Sequence, residues 1–349
     1  MNVDTKVFVR KKIKDYYWRA RVAAPSQVQM REFGVGTLED KIKVRHKKFS
    51  SERELSNFLK RDAPSYISYS AALYEFPENQ PMEAKNWLGA DLVFDLDAPM
   101  RFFDATVFDS VKEETLNLLE FIYDDFGFAE KDVNVNFSGS KGYHIHIASD
   151  EVKWLSGDAR REIVDYVTGS GLDLKYFMQE VEVDGFSPDR SGEYRKSAGA
   201  RLGPTAGDVG WAGRIYGTVH DFLSKPESFR DVKGVGPKTV KKLEKDRERN
   251  LASVESGNWQ GILDVREHLM QRVVDNRAVQ LMGDTDKMVT IDTSRLMRLP
   301  DTIHGGSGLL AARVKDIDKF NPLVDAVIFS ANEVPVILNE DIPEFDLMG

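Results

Sequence analysis

Apolar residues along the chain fall into two kinds of pattern. Near the start, residues 6–23 place apolar and aromatic positions (Tyr16, Tyr17, Trp18) among basic ones, which predicts a basic helix. Residues 41–49 alternate Ile42 and Val44 with Lys41, Lys43 and Arg45, a half-exposed strand with a basic face. Ser51 followed by Glu54 is a capping-box pattern, opening a short helix over 51–60. Residues 90–96 read as a strand. Val111, Leu118, Leu119, Ile122 and Phe126 repeat at helical spacing within 107–126. Residues 133–137 and 143–148 then form two short strands around the turn SGSKG. From about 156 to 282 charged helical segments prevail (158–167, 237–251, 262–282), and strands are expected to return at 288–291, 310–314 and 324–329. This predicts an α/β (α+β) core, 1–155 with 283–349, carrying an inserted helical subdomain, 156–282.

Composition adds exclusions. The chain has 349 residues and no cysteine, so disulfides and thiolate metal sites are ruled out. Its first residues lack a signal-type apolar stretch, and no run nears the ~18–20 apolar residues of a membrane span, so no membrane role and a cytoplasmic location are expected. Net charge is −9, which taken globally speaks against a nucleic-acid partner. Residues 1–61, however, hold 16 Lys/Arg against 7 Asp/Glu, a local +9 on an otherwise acidic chain. Such asymmetry suits a basic surface for an anionic partner, or a plain solvated basic helix and strand.

Three segments carry candidate chemistry. In Asp91-Leu-Val-Phe-Asp95-Leu-Asp97, strand geometry points Leu92, Phe94 and Leu96 one way and Val93, Asp95 and Asp97 the other. Asp95 and Asp97 then stand about 6.6 Å apart on one face, where two divalent cations would offset their repulsion. A strand end running into solvent would tolerate them too. In Ser138-Gly-Ser-Lys-Gly-Tyr-His144-Ile-His146, Gly139 and Gly142 permit a tight turn, while Ser138, Ser140 and Lys141 offer donors and charge to a phosphate. His144 and His146 share a face; an ordinary polar hairpin, or a zinc site completed by Asp or Glu, are the other readings. The third segment, from Asp286 through Asp292 and Arg298 to His304 and Gly308, flanks a predicted strand with acids, then brings a cation and a histidine beside glycines. Together these suit phosphoryl or nucleotidyl transfer, without a Walker A loop or GxGxxG.

The segments LVFDLDA, SGSKGYHIHI and VTIDTSRLMRLPDTIHGGSGL, with Arg31-Glu32-Phe33 and SYSAALYEFP, resemble the catalytic small subunit of archaeal and eukaryotic DNA primase, and an archaeal member most. The resemblance covers about 1–150 and 283–349. It implies a primase-type mixed-sheet core with a smaller helical insertion, and de novo synthesis of short RNA primers on single-stranded DNA. Asp95 and Asp97 match the family's metal-binding acids, with Asp286 as the third and Asp292 as the alternative. The resemblance thus implies Mg²⁺ or Mn²⁺ as cofactors. Ser138, Ser140, Lys141 and His144 match its nucleotide-binding positions, and Arg298 and His304 those facing the triphosphate. Implied partners are a primase large subunit, single-stranded template, and NTPs or dNTPs. Many members carry a Cys/His zinc knuckle after the acidic strand; without cysteine, that structural zinc is not expected here. Residues 231–243, with GVGPKT before a basic helix, look like a helix–hairpin–helix phosphate contact, or a plain helix junction with Pro237 at N1. Rival functions are a repair-type primase–polymerase that extends existing ends, and a non-catalytic DNA-binding replication subunit.

Overall fold

The computed structural model describes residues 3–100, 103–181, 186–188, 194–196, 200–225, 235–262, 265–281 and 283–329. Its helices are α1 (Val3–Arg19), α2 (Glu52–Asp62), α3 (Ala105–Glu120), α4 (Asp150–Lys153), α5 (Gly157–Val167), α6 (Gly210–Ser224), α7 (Pro237–Lys245), α8 (Arg247–Glu255), α9 (Arg266–Arg277), α10 (Gly283–Ile291) and α11 (Pro322–Asp325). Strands β1 (Phe33–Gly36), β2 (Val44–Lys47), β3 (Tyr66–Ser70), β4 (Ala72–Tyr74), β5 (Trp87–Ala90), β6 (Leu92–Asp97), β7 (Val133–Phe137) and β8 (Gly142–Ile147) precede the helical stretch. Within it lie short β9 (Gln179–Val181), β10 (Phe186–Pro188), β11 (Tyr194–Lys196) and β12 (Ala200–Leu202). After it come β13 (Leu296–Arg298), β14 (Thr302–Ile303), β15 (Leu310–Ala311) and β16 (Arg313–Val314).

The fold is α+β. Two four-stranded sheets, ordered β13-β3-β1-β2 and β16-β7-β8-β6, form its frame, and every described pairing is antiparallel. Each sheet has its own core. Leu92, Phe94 and Leu96 of β6 and Ile145 and Ile147 of β8 pack with Val111, Leu118 and Leu119 of α3, and the same cluster continues into α5, α6 and α9. Ile13 and Tyr17 of α1 and Leu55 and Leu59 of α2 close over Phe33 and Ile67 of the other sheet and Leu299 just after β13. A small third cluster of Ala71, Val93, Val289 and Met297 lies where β6, α10 and β13 meet.

Local chemistry explains most element ends. Ser51 Oγ accepts the Glu54 N–H (3.3 Å), half of the expected capping box. The Glu54 carboxylate instead accepts from the N–H and hydroxyl of Ser50, at 2.7 and 2.6 Å. Asp104 caps α3, which ends in a π-turn over Phe121–Asp125. The single helix expected over 237–251 is two, broken at Asp246.

One expected strand is a helix, and another is the end of a short helix followed by loop. Residues 288–291 belong to α10: the β-branched run is overridden because Val289 packs on Val93 of β6. Residues 324–329 overlap α11, started by Asn321, whose side chain accepts the Leu323 N–H (3.0 Å), and by Pro322 at the first helical position. In the hairpin candidate at 231–243, residues 231–234 lie outside the described residues; α7 does start at Pro237. Among the described residues no helix is long and apolar enough to cross a membrane.

Candidate active site

β6 has the two faces its alternation predicts. Leu92, Phe94 and Leu96 are sealed in the main core, Val93 packs in the small third cluster, and Asp95 and Asp97 sit half-buried beyond it. Antiparallel pairing sets Asp95 opposite His144 and Asp97 opposite Gly142. His144 Nε2 lies 3.3 Å from Asp95 Oδ1, ion-pair range without hydrogen-bond geometry. One oxygen of each carboxylate, Oδ1 of Asp95 and Oδ1 of Asp97, is buried with no hydrogen-bond partner. Burial first, and the adjacent Asp95 second, push the Asp97 carboxyl above its ordinary pKa, opposed by His144, Lys141 and Lys41. Two neighbouring carboxylates with unsatisfied buried oxygens fit a divalent cation.

The expected third acid, Asp286, stands one turn before Val289 on α10, the helix that packs against β6; its side chain lies outside the described residues. Asp292 is spent locally: Oδ1 accepts the N–H (2.9 Å) and hydroxyl (2.7 Å) of Ser294, and Oδ2 lies 3.4 Å from Arg295. Among the described residues no three His, Asp or Glu side chains form a closed metal cluster.

The loop between β7 and β8 brings the second segment to the acids. Any side chain at Gly142 would put Cβ 1.7 Å from the Leu96 carbonyl and 2.8 Å from Asp97 Oδ1, so only glycine lets the loop lie this close. Ser138 behaves differently from expectation. Its Oγ accepts the N–H groups of Ser140 (3.3 Å), Lys141 (3.3 Å) and Gly142 (3.2 Å), shaping the turn around itself. Ser140 and Lys141 line a cavity of about 330 Å³ together with His304, Gly306, Ser307, Met100 and Phe103.

His304 closes the other wall, with Arg298 of β13 near it. Ser307 Oγ donates to the Gly139 carbonyl (2.5 Å), and both Oγ (2.9 Å) and the backbone N–H (3.2 Å) of Ser307 lie against His304 Nδ1, which fixes the ring in place. Burial, with Arg298, Lys41 and His144 nearby, pushes His304 down to about 3, so it is neutral at physiological pH. Arg298 lies 4.7 Å over the Tyr66 ring, and its Nε and one terminal nitrogen are buried without a partner. Burial lowers its pKa to about 10, leaving it charged. A half-buried cation with two unused donors is arranged for an anion.

His146 shares the His144 face but does not join the site. It stacks on Tyr69 (5.6 Å, 17°) with Nδ1 3.3 Å from the Tyr69 hydroxyl, and burial pushes it down to about 3. A buried charge cluster around Glu32 carries no motif that marks it in the sequence. Glu32, wholly buried, meets Arg45 Nε at 2.7 Å and Lys85 Nζ at 3.5 Å, and Arg45 also donates to the Ser294 carbonyl (2.9 Å). Its members are 13 and 53 positions from Glu32, so only the Arg-Glu-Phe run hinted at it.

A profile of the DNA primase small subunit family matches residues 94–316. The DNA primase small subunit of Methanococcoides burtonii is 35% identical, over 96% of this chain and 89% of that protein. That of Methanothrix thermoacetophila is 36% identical over 96% of this chain and 90% of its own. The chain belongs to the DNA primase small subunit family. The similarity extends to the small subunit of Haloarcula marismortui, 32% identical over 94% of this chain and 86% of that protein. The family profile spans β6 through β16. It therefore takes in both the acidic strand and the Arg298–His304 wall of the site, while the basic helix α1 lies outside it.

Proposed function

We propose that this chain is the catalytic subunit of a DNA primase, making short RNA primers de novo on single-stranded DNA during replication. The observation that carries this reading is the pairing, across Gly142, of two carboxylates holding unsatisfied buried oxygens with a cavity lined by Lys141 and His304, Arg298 lying close enough to act on His304. Asp95, Asp97 and Asp286 would hold two Mg²⁺ or Mn²⁺ ions, whose charge would acidify the attacking 3′-hydroxyl and favour departure of pyrophosphate. Arg298 supplies fixed positive charge to the triphosphate and His304 a neutral imidazole. Lys141 adds a second charge and Ser140 a hydroxyl donor. Ser138 holds the turn that presents them, and His144 orients Asp95. Because these donors are fixed before substrate arrives, little reorganisation opposes transfer.

Residues 156–282 would form a subdomain inserted in this core, and the basic N-terminal region would carry template phosphates. A primase large subunit is the expected partner, and NTPs or dNTPs the substrates. The deciding assay supplies unprimed single-stranded template and NTPs to the isolated chain, with and without Mn²⁺. Primer products are expected, and product only from pre-annealed ends would favour the repair-type reading. Asp95→Ala with Asp97→Ala should abolish incorporation while leaving the circular dichroism spectrum unchanged; synthesis by that variant would remove the two-metal assignment.

A further inference from the structure

Helix α1 buries only one side. Ile13 and Tyr17 enter the N-terminal core, and the flank beside them carries Val3, Val7, Lys11, Lys14 and Trp18, all exposed and spaced i, i+4 or i, i+3. Trp18 leaves 62% of its surface in water. A solvated helix face accounts for lysines but not for an indole held in solvent, where burial of so large a ring would be favourable. The cations around it are also uncommitted. Lys6 pairs with Glu39 (2.6 Å), whereas Arg10, Lys11, Lys14, Arg19 and Arg21 have no ion pair among the described residues.

The end of α1 that carries Trp18 is fastened to the candidate site. The Tyr16 hydroxyl donates to the Asp301 carbonyl (2.9 Å), and Tyr17 packs in one cluster with Ile303, the residue before His304. The stripe therefore ends beside the wall that carries Arg298 and His304.

We propose that single-stranded DNA lies along this stripe, with a base stacked on Trp18 and phosphates against Lys11 and Lys14. The inference rests on the primase reading and gives its template a path. Aromatic stacking flanked by lysines is the sequence-tolerant way of holding a single strand, and a template of any sequence requires that tolerance. An apolar protein partner would cover Lys11 and Lys14 without pairing them, whereas a single strand meets the indole with its bases and the lysines with its phosphates.

The test is fluorescence anisotropy of a labelled oligo-dT with the full chain, without nucleotide. Trp18→Ala should weaken binding about five- to a hundredfold, and Trp18→Phe should restore most of it. Lys11→Ala with Lys14→Ala should flatten the slope of log K against log salt by about 1.4. All three positions are exposed, and matching circular dichroism spectra confirm folding. Unchanged affinity for Trp18→Ala, or an unchanged salt slope for the double variant, overturns the proposal. So does loss of large-subunit binding by Trp18→Ala with oligo-dT binding intact. Because this readout needs no catalysis, failure of the stripe leaves the unprimed synthesis result standing, and failure of synthesis leaves the binding result standing.

Discussion

Arg298→Met should make the protein more stable and a poorer enzyme. Met keeps an unbranched stem of similar length but removes the charge. In the free protein that charge is costly: burial draws its pKa down to about 10, which at 1.36 kcal/mol per pKa unit is a penalty of about 3 kcal/mol. Part of it is already offset by the Tyr66 ring beneath the guanidinium, a contact worth about 1 kcal/mol. The net gain on substitution is therefore about 2 kcal/mol, read as a rise in the urea midpoint without nucleotide. A base whose pKa is depressed by folding carries its penalty wherever it is charged in both states. The gain should accordingly be flat from about pH 5 to pH 9. Nucleotide affinity should move the other way. Losing charge-assisted hydrogen bonds of about 1.5–3 kcal/mol each raises the NTP KM by about ten- to a hundredfold or more. A variant that is less stable than the parent, or that binds NTP equally well, would refute the idea that this cation waits for an anion.

Other expectations concern the same cleft. His304 is neutral in the folded protein, its pKa depressed to about 3, so the stability it permits is present above the unfolded value of about 6.5 and is lost as pH falls below it. Between pH 7 and pH 5 the wild type should therefore lose about 2 kcal/mol more than His304→Asn in urea titrations; equal losses would contradict the assignment. Gly142→Ala should cost about 3 kcal/mol or more, because its Cβ would fall 1.7 Å from the Leu96 carbonyl. Thermal melting checks this, and catalysis should fall with it since Asp97 is displaced. A variant that melts like the parent would show that β6 and β8 can separate there without penalty.

Much of the acidic strand was legible in the sequence because a period of two admits only one assignment of faces. Once Leu92, Phe94 and Leu96 are placed inside, Asp95 and Asp97 must share the other side. The glycine loop was legible for a similar reason, since Gly139 adopts φ +79°, a conformation that favours glycine. What the loop hydroxyls do was not legible. Ser138 turns its oxygen onto its own loop, a choice made by local amide geometry that composition cannot show. Helix α10 was misread because Val289, Thr290 and Ile291 are good strand formers, and only contact with Val93, almost two hundred positions earlier, decides otherwise. Arg298 could be singled out by resemblance, but its unpaired burial depends on Tyr66 of a neighbouring strand.

The ladder between β6 and β8 sets the alignment of acids and phosphate loop, and it does so before any substrate is present. Slipping that ladder by one residue would turn every β6 side chain over, sending Asp95 and Asp97 into the cluster that holds Phe94 and Leu96. Each stranded carboxylate would cost several kcal/mol, so misregistered chains are rejected while the sheet forms. The same charges that make the centre reactive thus act as a proofreading device for its own assembly.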